Sequence, residues 1–151
     1  MVIFTEVLEH LAVDPVHTLS ELSRVTRTGG WLLVSTPNCA SAKSLLSILR
    51  GNHPFLYPIY TRQPSSDRHN REYVPWEVKE LLTASGYEVT SLMTVDVYGE
   101  TLQDRAVKAA LRMTRLFMLK SPRLPDRGDT IFALGKKVSG VKDRYPAFLY
   151  A

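Results

Sequence analysis

The stretch VIFTEVLEHL, residues 2–11, decides how the rest of the chain is interpreted. Residues 1–5 form a short apolar run, which predicts a buried strand, and two glutamates and a histidine follow soon after it. Open α/β sheets bind their ligands beyond the carboxyl ends of their strands. We therefore expect Glu6, Glu9 and His10 to lie at a functional edge of a sheet.

A strand-helix-strand unit is predicted to begin with this run. Asp14 is a good N-cap and Pro15 suits the first helical position, so a helix is expected over residues 15–27. Gly29-Gly30 ends this helix, and residues 31–35 form a second apolar strand. Because a strand-helix-strand connection of this kind is a right-handed crossover, the two strands are predicted to lie side by side and parallel.

The later part of the chain is predicted to alternate between helices and strands. Residues 39–72 combine three prolines with an aromatic stretch and predict a lid inserted into a partial domain of residues 1–138. The alternative is that the aromatic side chains simply pack on the core. The tail, residues 139–151, has no clear pattern, and we expect it to be frayed. Apolar spacing predicts helices from Ala42 to Gly51, from Pro75 to Gly86 and at 102–119, and strands at 87–92 and 129–135.

The composition is that of one compact globular domain. The chain has 151 residues, of which 44% are hydrophobic and 23% charged, so it can bury a core and shows no bias towards disorder. The single cysteine, Cys39, excludes an internal disulfide and fits a reducing compartment, so we expect a cytoplasmic protein. No window approaches the roughly 18 continuous apolar residues of a membrane span, so no transmembrane segment is expected.

The positive charge is concentrated in one segment. Residues 100–128 hold seven Lys or Arg against three acidic residues. Two interpretations fit this excess: a solvated helix face, or contact with an anionic partner such as a lipid head group or nucleic acid. No aromatic residues alternate with these charges in the way that stacking on bases requires, so a nucleic-acid partner is not expected.

Several motifs occur in a fixed order along the chain, at residues 6–11, 14–15, 21–25, 29–30, 35–38, 69–73, 77, 81–82 and 86–87. In this order they resemble the second half of class I S-adenosylmethionine-dependent methyltransferases of the type 11 and type 23 kind. The resemblance implies an α/β fold that is the C-terminal half of a Rossmann-like sheet, with two parallel strands, a later pair that includes one antiparallel strand, and helices on the faces. The strand of Ile131 would be antiparallel and lie between those of Trp31 and Tyr87, which gives the order 1-2-4-3.

The same resemblance implies methyl transfer from S-adenosylmethionine to a hydroxyl of a small molecule, as part of a longer enzyme. Thr5, Glu6 and Val7 would then lie beside the methionine end of the cofactor. A sulfonium methyl is already activated, so the protein has to align the acceptor and remove its proton. His10 is the candidate base, and the alternative is that its ring only orients the loop.

The chain also departs from this family. The family holds its cofactor mainly in its first half, with a glycine-rich loop and an acidic residue on the ribose, and neither is present in this sequence. A second interpretation is therefore a non-catalytic remnant that serves as a binding or assembly module. An uncovered strand at Val2–Phe4 would expose unpaired backbone and apolar side chains, which predicts self-association through this edge.

Residues 6–10 form an E-x-x-E-H pattern, whose charged side chains fall on one side of a helical turn or tight loop. The pattern resembles the metal-binding segment of ubiquinone-pathway O-methyltransferases and of small-RNA 2′-O-methyltransferases, and in the latter a further histidine corresponds to His69. The alternative is a metal-free loop in which Glu9 pairs with Arg24 or Arg71. With a metal, the implied ligands of Mg²⁺ are Glu6, Glu9, His10 and His69.

Overall fold

The computed structural model describes residues 1–12, 14–55, 68–99, 101–117 and 127–150. These residues form a four-stranded sheet with helices packed against it. The strands are β1 (Val2–Thr5), β2 (Trp31–Pro37), β3 (Tyr87–Val95) and β4 (Thr130–Lys137), and the helices are α1 (Pro15–Val25), α2 (Ala42–Leu49), α3 (Pro75–Ala84) and α4 (Leu102–Phe117). Leu8–His10 form one turn of 3₁₀ helix. Of the helices described, none is long and apolar enough to cross a membrane.

The sheet has the order β1-β2-β4-β3, as predicted. β1 pairs in parallel with β2, with Val2 opposite Leu32, and β4 runs antiparallel between β2 and β3. Because β4 is antiparallel to both of its neighbours, β1, β2 and β3 all end at one edge of the sheet. The E-x-x-E-H loop, α2 and α4 each follow one of these strand ends and therefore start from the same edge.

Two helix starts are set by carboxylates. Asp14 caps α1, because its Oδ1 accepts a hydrogen bond of 2.8 Å from the backbone N–H of Val16. The Glu77 side chain caps the start of α3, because it accepts a hydrogen bond of 3.0 Å from the backbone N–H of Val74. These bonds satisfy backbone donors that have no partner within the helix. The predicted role of Asp14 is therefore confirmed.

Most predicted elements are present with shifted ends. The helix predicted over residues 15–27 ends at Val25, and Thr26 then bonds the carbonyl of Leu22 through both its N–H and its hydroxyl. The strands run beyond their apolar centres because β4 pairs along the full length of β2. The predicted end of α4 at residue 119 lies outside the described residues, as do residues 56–67 of the predicted lid.

The core lies between one face of the sheet and the helices α1 and α3. Alternate residues of β2 and β4 face it, because side chains alternate along a strand. Leu8 and Tyr73 belong to the same core, so the E-x-x-E-H loop and the segment that carries His69 are both anchored by buried side chains. The buried core residues are Leu8, Val16, Leu19, Leu32, Val34, Tyr73, Val78, Leu81, Leu82, Tyr87, Ile131 and Ala133.

The opposite face of the sheet is apolar and partly open. Leu33 of β2 pairs with Leu134 of β4, and Met93 of β3 pairs with Phe132 of β4, so their side chains form a continuous apolar strip. A depression of about 440 Å³ lies over this strip. On β1, Ile3 stands opposite Leu33 and is 61% exposed. The apolar surface therefore extends from β3 to the outer strand β1.

The C-terminal tail packs on the body of the protein. The rings of Trp76 and Phe148 meet edge to face with 5.4 Å between their centroids. The hydroxyl of Tyr150 donates to the carboxylate of Asp14, which caps α1. The expectation of a frayed tail is therefore wrong for residues 139–150, because aromatic side chains near the end of the chain find partners on α3 and α1.

Candidate functional site

The E-x-x-E-H loop leaves β1 through a sharp turn at Glu6. The φ of Glu6 is +52°, a left-handed conformation that is costly for a residue with a side chain, and no other non-glycine residue in the described ranges adopts one. The backbone N–H of Glu6 donates to the carbonyl of Ser35 at 3.0 Å. The Glu6 carboxylate accepts a bond of 2.6 Å from the Ser35 hydroxyl. β2 therefore holds this turn in place.

Glu9 is a buried carboxylate, with only 1% of the residue exposed. Thr36 on β2 donates its hydroxyl to Oε2 at 2.8 Å, whereas Oε1 has no hydrogen-bond partner among the described residues. Burial raises the pKa of the Glu9 carboxyl in spite of its hydrogen bonds. The side chains of Arg24 and Arg71 bind other glutamates, so the alternative in which Glu9 pairs with one of them is wrong.

His10 has a defined orientation at this edge. Its Nδ1 lies 3.2 Å from the carbonyl oxygen of Arg68, which can only accept, so in the neutral ring Nδ1 carries the proton and Nε2 the lone pair. Nε2 lies 3.7 Å from Oε1 of Glu9. Asn70 donates from its backbone to the carbonyl of Glu9 and from its side chain to the carbonyl of His10, both at 2.8 Å. The loop and residues 68–70 are thus joined by hydrogen bonds.

His69 comes from the far side of the predicted lid and meets His10. Both His69 and Glu72 are buried, and Nδ1 of His69 lies 2.7 Å from Oε1 of Glu72. The His69 ring stands edge to face against His10, with 4.8 Å between centroids. One ligand-type atom from each of Glu9, His10 and His69 lies within 4.8 Å of the others. We call these three residues the Glu9–His10–His69 cluster.

The sequence prediction placed Glu6 in the same group, and the structure does not. The Glu6 carboxylate is directed to Ser35, because the left-handed turn at Glu6 separates it from the 3₁₀ helix that carries Glu9 and His10. The three residues predicted to touch the cofactor, Thr5, Glu6 and Val7, all lie exposed along the rim of the sheet edge. They are accessible to a ligand at this rim.

The cluster can perform two kinds of chemistry. An imidazole whose Nε2 carries a lone pair, beside a carboxylate, is arranged as a general base. Two imidazole nitrogens and one carboxylate oxygen can also bind a divalent cation, and the unpartnered Oε1 of Glu9 fits that use. Mg²⁺ prefers an oxygen-rich set, and without Glu6 this set is rich in nitrogen. The residues therefore fit a transition-metal ion better than the expected Mg²⁺.

Sequence reasoning did not assign roles to the residues that orient the cluster. Thr36 could have been found, because it ends a strand parallel to β1 and such strand ends meet at one edge. Glu72 lies three residues from His69, but this segment is not helical, so the spacing does not predict their contact. Asn70 lies in irregular structure, and no local pattern predicts that it bonds two carbonyls of a distant loop.

The fold is shared with solved methyltransferase structures. A chain from the complex between the Haloferax volcanii Trm112 methyltransferase activator and a methyltransferase has a TM-score of 0.53 and 14% identity, over 91% of this chain and 53% of that one. A SAM dependent methyltransferase from Archaeoglobus fulgidus has a TM-score of 0.52 and 14% identity, over 89% of this chain and 57% of that one. The chain therefore spans little more than half the length of either structure. No sequence profile of a protein family and no curated protein matches it.

Proposed function

We propose that this chain is the acceptor-binding half of an S-adenosylmethionine-dependent methyltransferase and that the acceptor is a hydroxyl of a small molecule. The observation that carries the proposal is the Glu9–His10–His69 cluster, which lies at the carboxyl edge of a methyltransferase-like sheet. In open α/β sheets this edge is where ligands bind. The single cysteine, Cys39, is consistent with a reducing, cytoplasmic setting.

His10 is the proposed catalytic base. Its Nε2 would take the proton from the acceptor hydroxyl while the oxygen attacks the sulfonium methyl and the carbon-sulfur bond breaks to leave a thioether. Glu9 lies 3.7 Å from Nε2 and would stabilise the imidazolium that forms. Thr5, Glu6 and Val7 would contact the methionine end of the cofactor from the rim of the sheet. Alignment of the acceptor supplies the rest of the rate enhancement.

A divalent transition-metal ion at the cluster is the alternative to His10 as the base. Nδ1 of His10 binds the Arg68 carbonyl, so Nε2 alone is left, and it can either accept a proton or bind a metal. Glu9, His10 and His69 would hold it, and it would lower the pKa of an acceptor hydroxyl. Glu72, through its bond to Nδ1 of His69, would keep the other ring nitrogen turned towards the ion. This pattern of an outer carboxylate on a ligating histidine is common in metal sites.

A non-catalytic binding or assembly module is the second candidate. One observation favours it: a depression of about 440 Å³ lies over the apolar face of the sheet, lined by Leu33, Met93 and Phe132 among others. In that case the partly open sheet face would serve as the contact surface. A measurement of cofactor binding distinguishes the methyltransferase from the assembly module.

The test is an NMR titration of the ¹⁵N-labelled chain with S-adenosylhomocysteine. We expect weak, millimolar binding that shifts the amide signals of Thr5, Glu6 and Val7. Adenosine, which lacks the methionine end, is the matched control and should leave these three signals in place. If S-adenosylhomocysteine shifts none of them, or adenosine shifts them equally, the methyltransferase proposal fails and the assembly module is retained.

The metal part has a separate test that needs no substrate. Paramagnetic Mn²⁺ should broaden the imidazole signals of His10 and His69 at substoichiometric concentration. Glu9→Gln should abolish the broadening, whereas Glu6→Gln should leave it unchanged because the Glu6 carboxylate is bound to Ser35. Equal effects of the two substitutions would show that the ligand set is wrong.

A further inference from the structure

The helices α2 and α4 lie side by side at the edge of the sheet where the cluster is located. Each follows the carboxyl end of a strand, α2 after β2 and α4 after β3. The guanidinium of Arg50, just past the end of α2, donates to Oε1 of Gln103 in the first turn of α4. This bond joins the end of one helix to the start of the other.

Large apolar side chains on these helices face solvent. Leu49 is 78% exposed at the end of α2, and Leu102 is 81% exposed at the start of α4. Further along α4, Met113 is 64% exposed. Leu102, Ala106, Ala109 and Met113 share one side of α4 at helical spacing, and all four are exposed. An apolar stripe therefore runs along the exposed side of α4 from Leu102 to Met113.

The charge on the same two helices is positive. Asp104 is the single acidic residue in α2 and α4, and it is buried, where it accepts hydrogen bonds from Thr101. Lys43 and Lys108 bind Asp129 and Asp96 and are only partly exposed. Among the side chains described beside the apolar stripe, the exposed basic ones are Arg50, Arg105 and Arg112.

We propose that this surface, made of Ile48, Leu49, Arg50, Leu102, Arg105, Arg112 and Met113, docks on an anionic lipid bilayer. We call it the α2–α4 surface. An amphipathic helix with apolar residues on one side and basic residues flanking them lies in the interface of an anionic membrane, with its apolar side among the lipid chains. The arginines then meet lipid phosphates. Binding of this kind does not depend on the proposed methyl transfer.

Two other occupants fit these residues less well. Nucleic acid is bound through basic grooves with aromatic side chains that stack on bases, and the α2–α4 surface offers leucine, isoleucine and methionine instead. A second copy of the chain would bring like charges together, because the surface carries three exposed arginines and no exposed acid from either helix. An anionic bilayer offers lipid chains to the apolar side chains and phosphate groups to the arginines.

The experiment is cosedimentation of the whole chain with vesicles. Phosphatidylcholine vesicles containing one-third phosphatidylglycerol are compared with pure phosphatidylcholine, at low and at high salt. We expect binding to the anionic vesicles only, weakened by salt because surface attraction is screened. Absence of binding to anionic vesicles at low salt would overturn the proposal.

Two variants test the two parts of the surface. The triple variant Leu49→Ser, Leu102→Ser, Met113→Ser keeps every charge and should lower the partition coefficient about 10-fold or more, since apolar burial is lost. The double variant Arg105→Gln, Arg112→Gln should also lower it about 10-fold. All five positions are exposed, and circular dichroism checks that each variant is folded.

The control removes the same charge elsewhere. Arg27→Gln, Lys79→Gln takes two exposed basic residues from near α1 and from α3, outside the α2–α4 surface, and should bind as the parent chain does. Equal loss in this control would mean that only net charge matters, which contradicts a docking surface. If an RNA oligonucleotide competes with vesicles for the chain, the partner of this surface is nucleic acid and not a bilayer. If the chain forms a dimer without lipid and the triple variant abolishes it, the partner is a second copy of the chain.

Discussion

Asp129 is a buried carboxylate that joins three separate segments of the chain. It lies just before β4, with 2% of its side chain exposed, and binds Lys43 of α2 at 2.6 Å. The backbone N–H groups of Val97 and Tyr98 donate to it at 2.8 and 3.2 Å. Burial alone would raise the pKa of Asp129, but these hydrogen bonds outweigh it and hold the pKa below its ordinary value.

Replacing Asp129 should therefore be costly. We expect Asp129→Ala to lower the free energy of unfolding by about 3 kcal/mol, because Lys43 and two backbone donors lose their acceptor. Since the pKa is lowered in the folded state, the contribution is present above pH 3.8 and is lost as the pH falls through the folded value. Urea denaturation at pH 7 and pH 3 measures both effects. Glu80→Ala, at an exposed acid of α3, is the control and should change little.

Cys39 should react slowly as a thiol. Burial raises the pKa of the Cys39 thiol from 9.0 to about 11, so at neutral pH the reactive thiolate is roughly 100-fold scarcer than in the unfolded chain. As the single cysteine, it gives an unambiguous alkylation signal. We expect the iodoacetamide rate of the native chain to keep rising up to about pH 11. A native rate that levels off near pH 9, as in denaturant, would contradict this.

At the scale of elements, apolar periodicity was enough to place each strand and each α-helix of the described chain, because each has one buried face, but it did not predict the 3₁₀ turn at Leu8–His10. The position of β4 between β2 and β3 came from family resemblance, since strand order is not encoded in local spacing. The packing of Phe148 and Tyr150 could not be predicted, because it depends on partners far along the chain. In the site, the convergence of Glu9, His10 and His69 was predictable, but the left-handed turn that diverts Glu6 was not.

The outer edge of β1 is expected to cause self-association. Among the described strands β1 pairs with β2 alone, and Ile3 is 61% exposed on the apolar face next to it. Light scattering should show mass that rises with protein concentration, and Ile3→Lys should reduce it by placing charge at the edge. Val25→Lys, at a residue 60% exposed on α1, is the matched control and should leave association unchanged. A monomer at high concentration would contradict the prediction.

At the scale of the whole molecule, Gly86 is where the tail meets the helix-strand junction. Its φ is +92°, and a Cβ there would lie 2.4 Å from the carbonyl oxygen of Gly140. Gly86→Ala should therefore lower the free energy of unfolding by about 3 kcal/mol or more, since it adds a clash to backbone strain. Gly51→Ala, with φ +75° and no atom within 4 Å of the added Cβ, isolates the strain and should cost about 1 kcal/mol. Thermal unfolding of the two variants measures the difference, and equal costs would contradict a clash with the tail.

The central place of β4 also affects how fast the chain can fold. β4 is the last of the described strands along the chain, yet it fills the gap between β2 and β3, so that Trp31 pairs with Lys136. During synthesis β2 and β3 leave the ribosome before the strand that pairs with both of them exists. Pairings of such long sequence separation form slowly, typically in milliseconds to seconds. Until β4 arrives, the facing edges of β2 and β3 are open to other chains, and chaperones that shield strand edges should raise the yield of refolding.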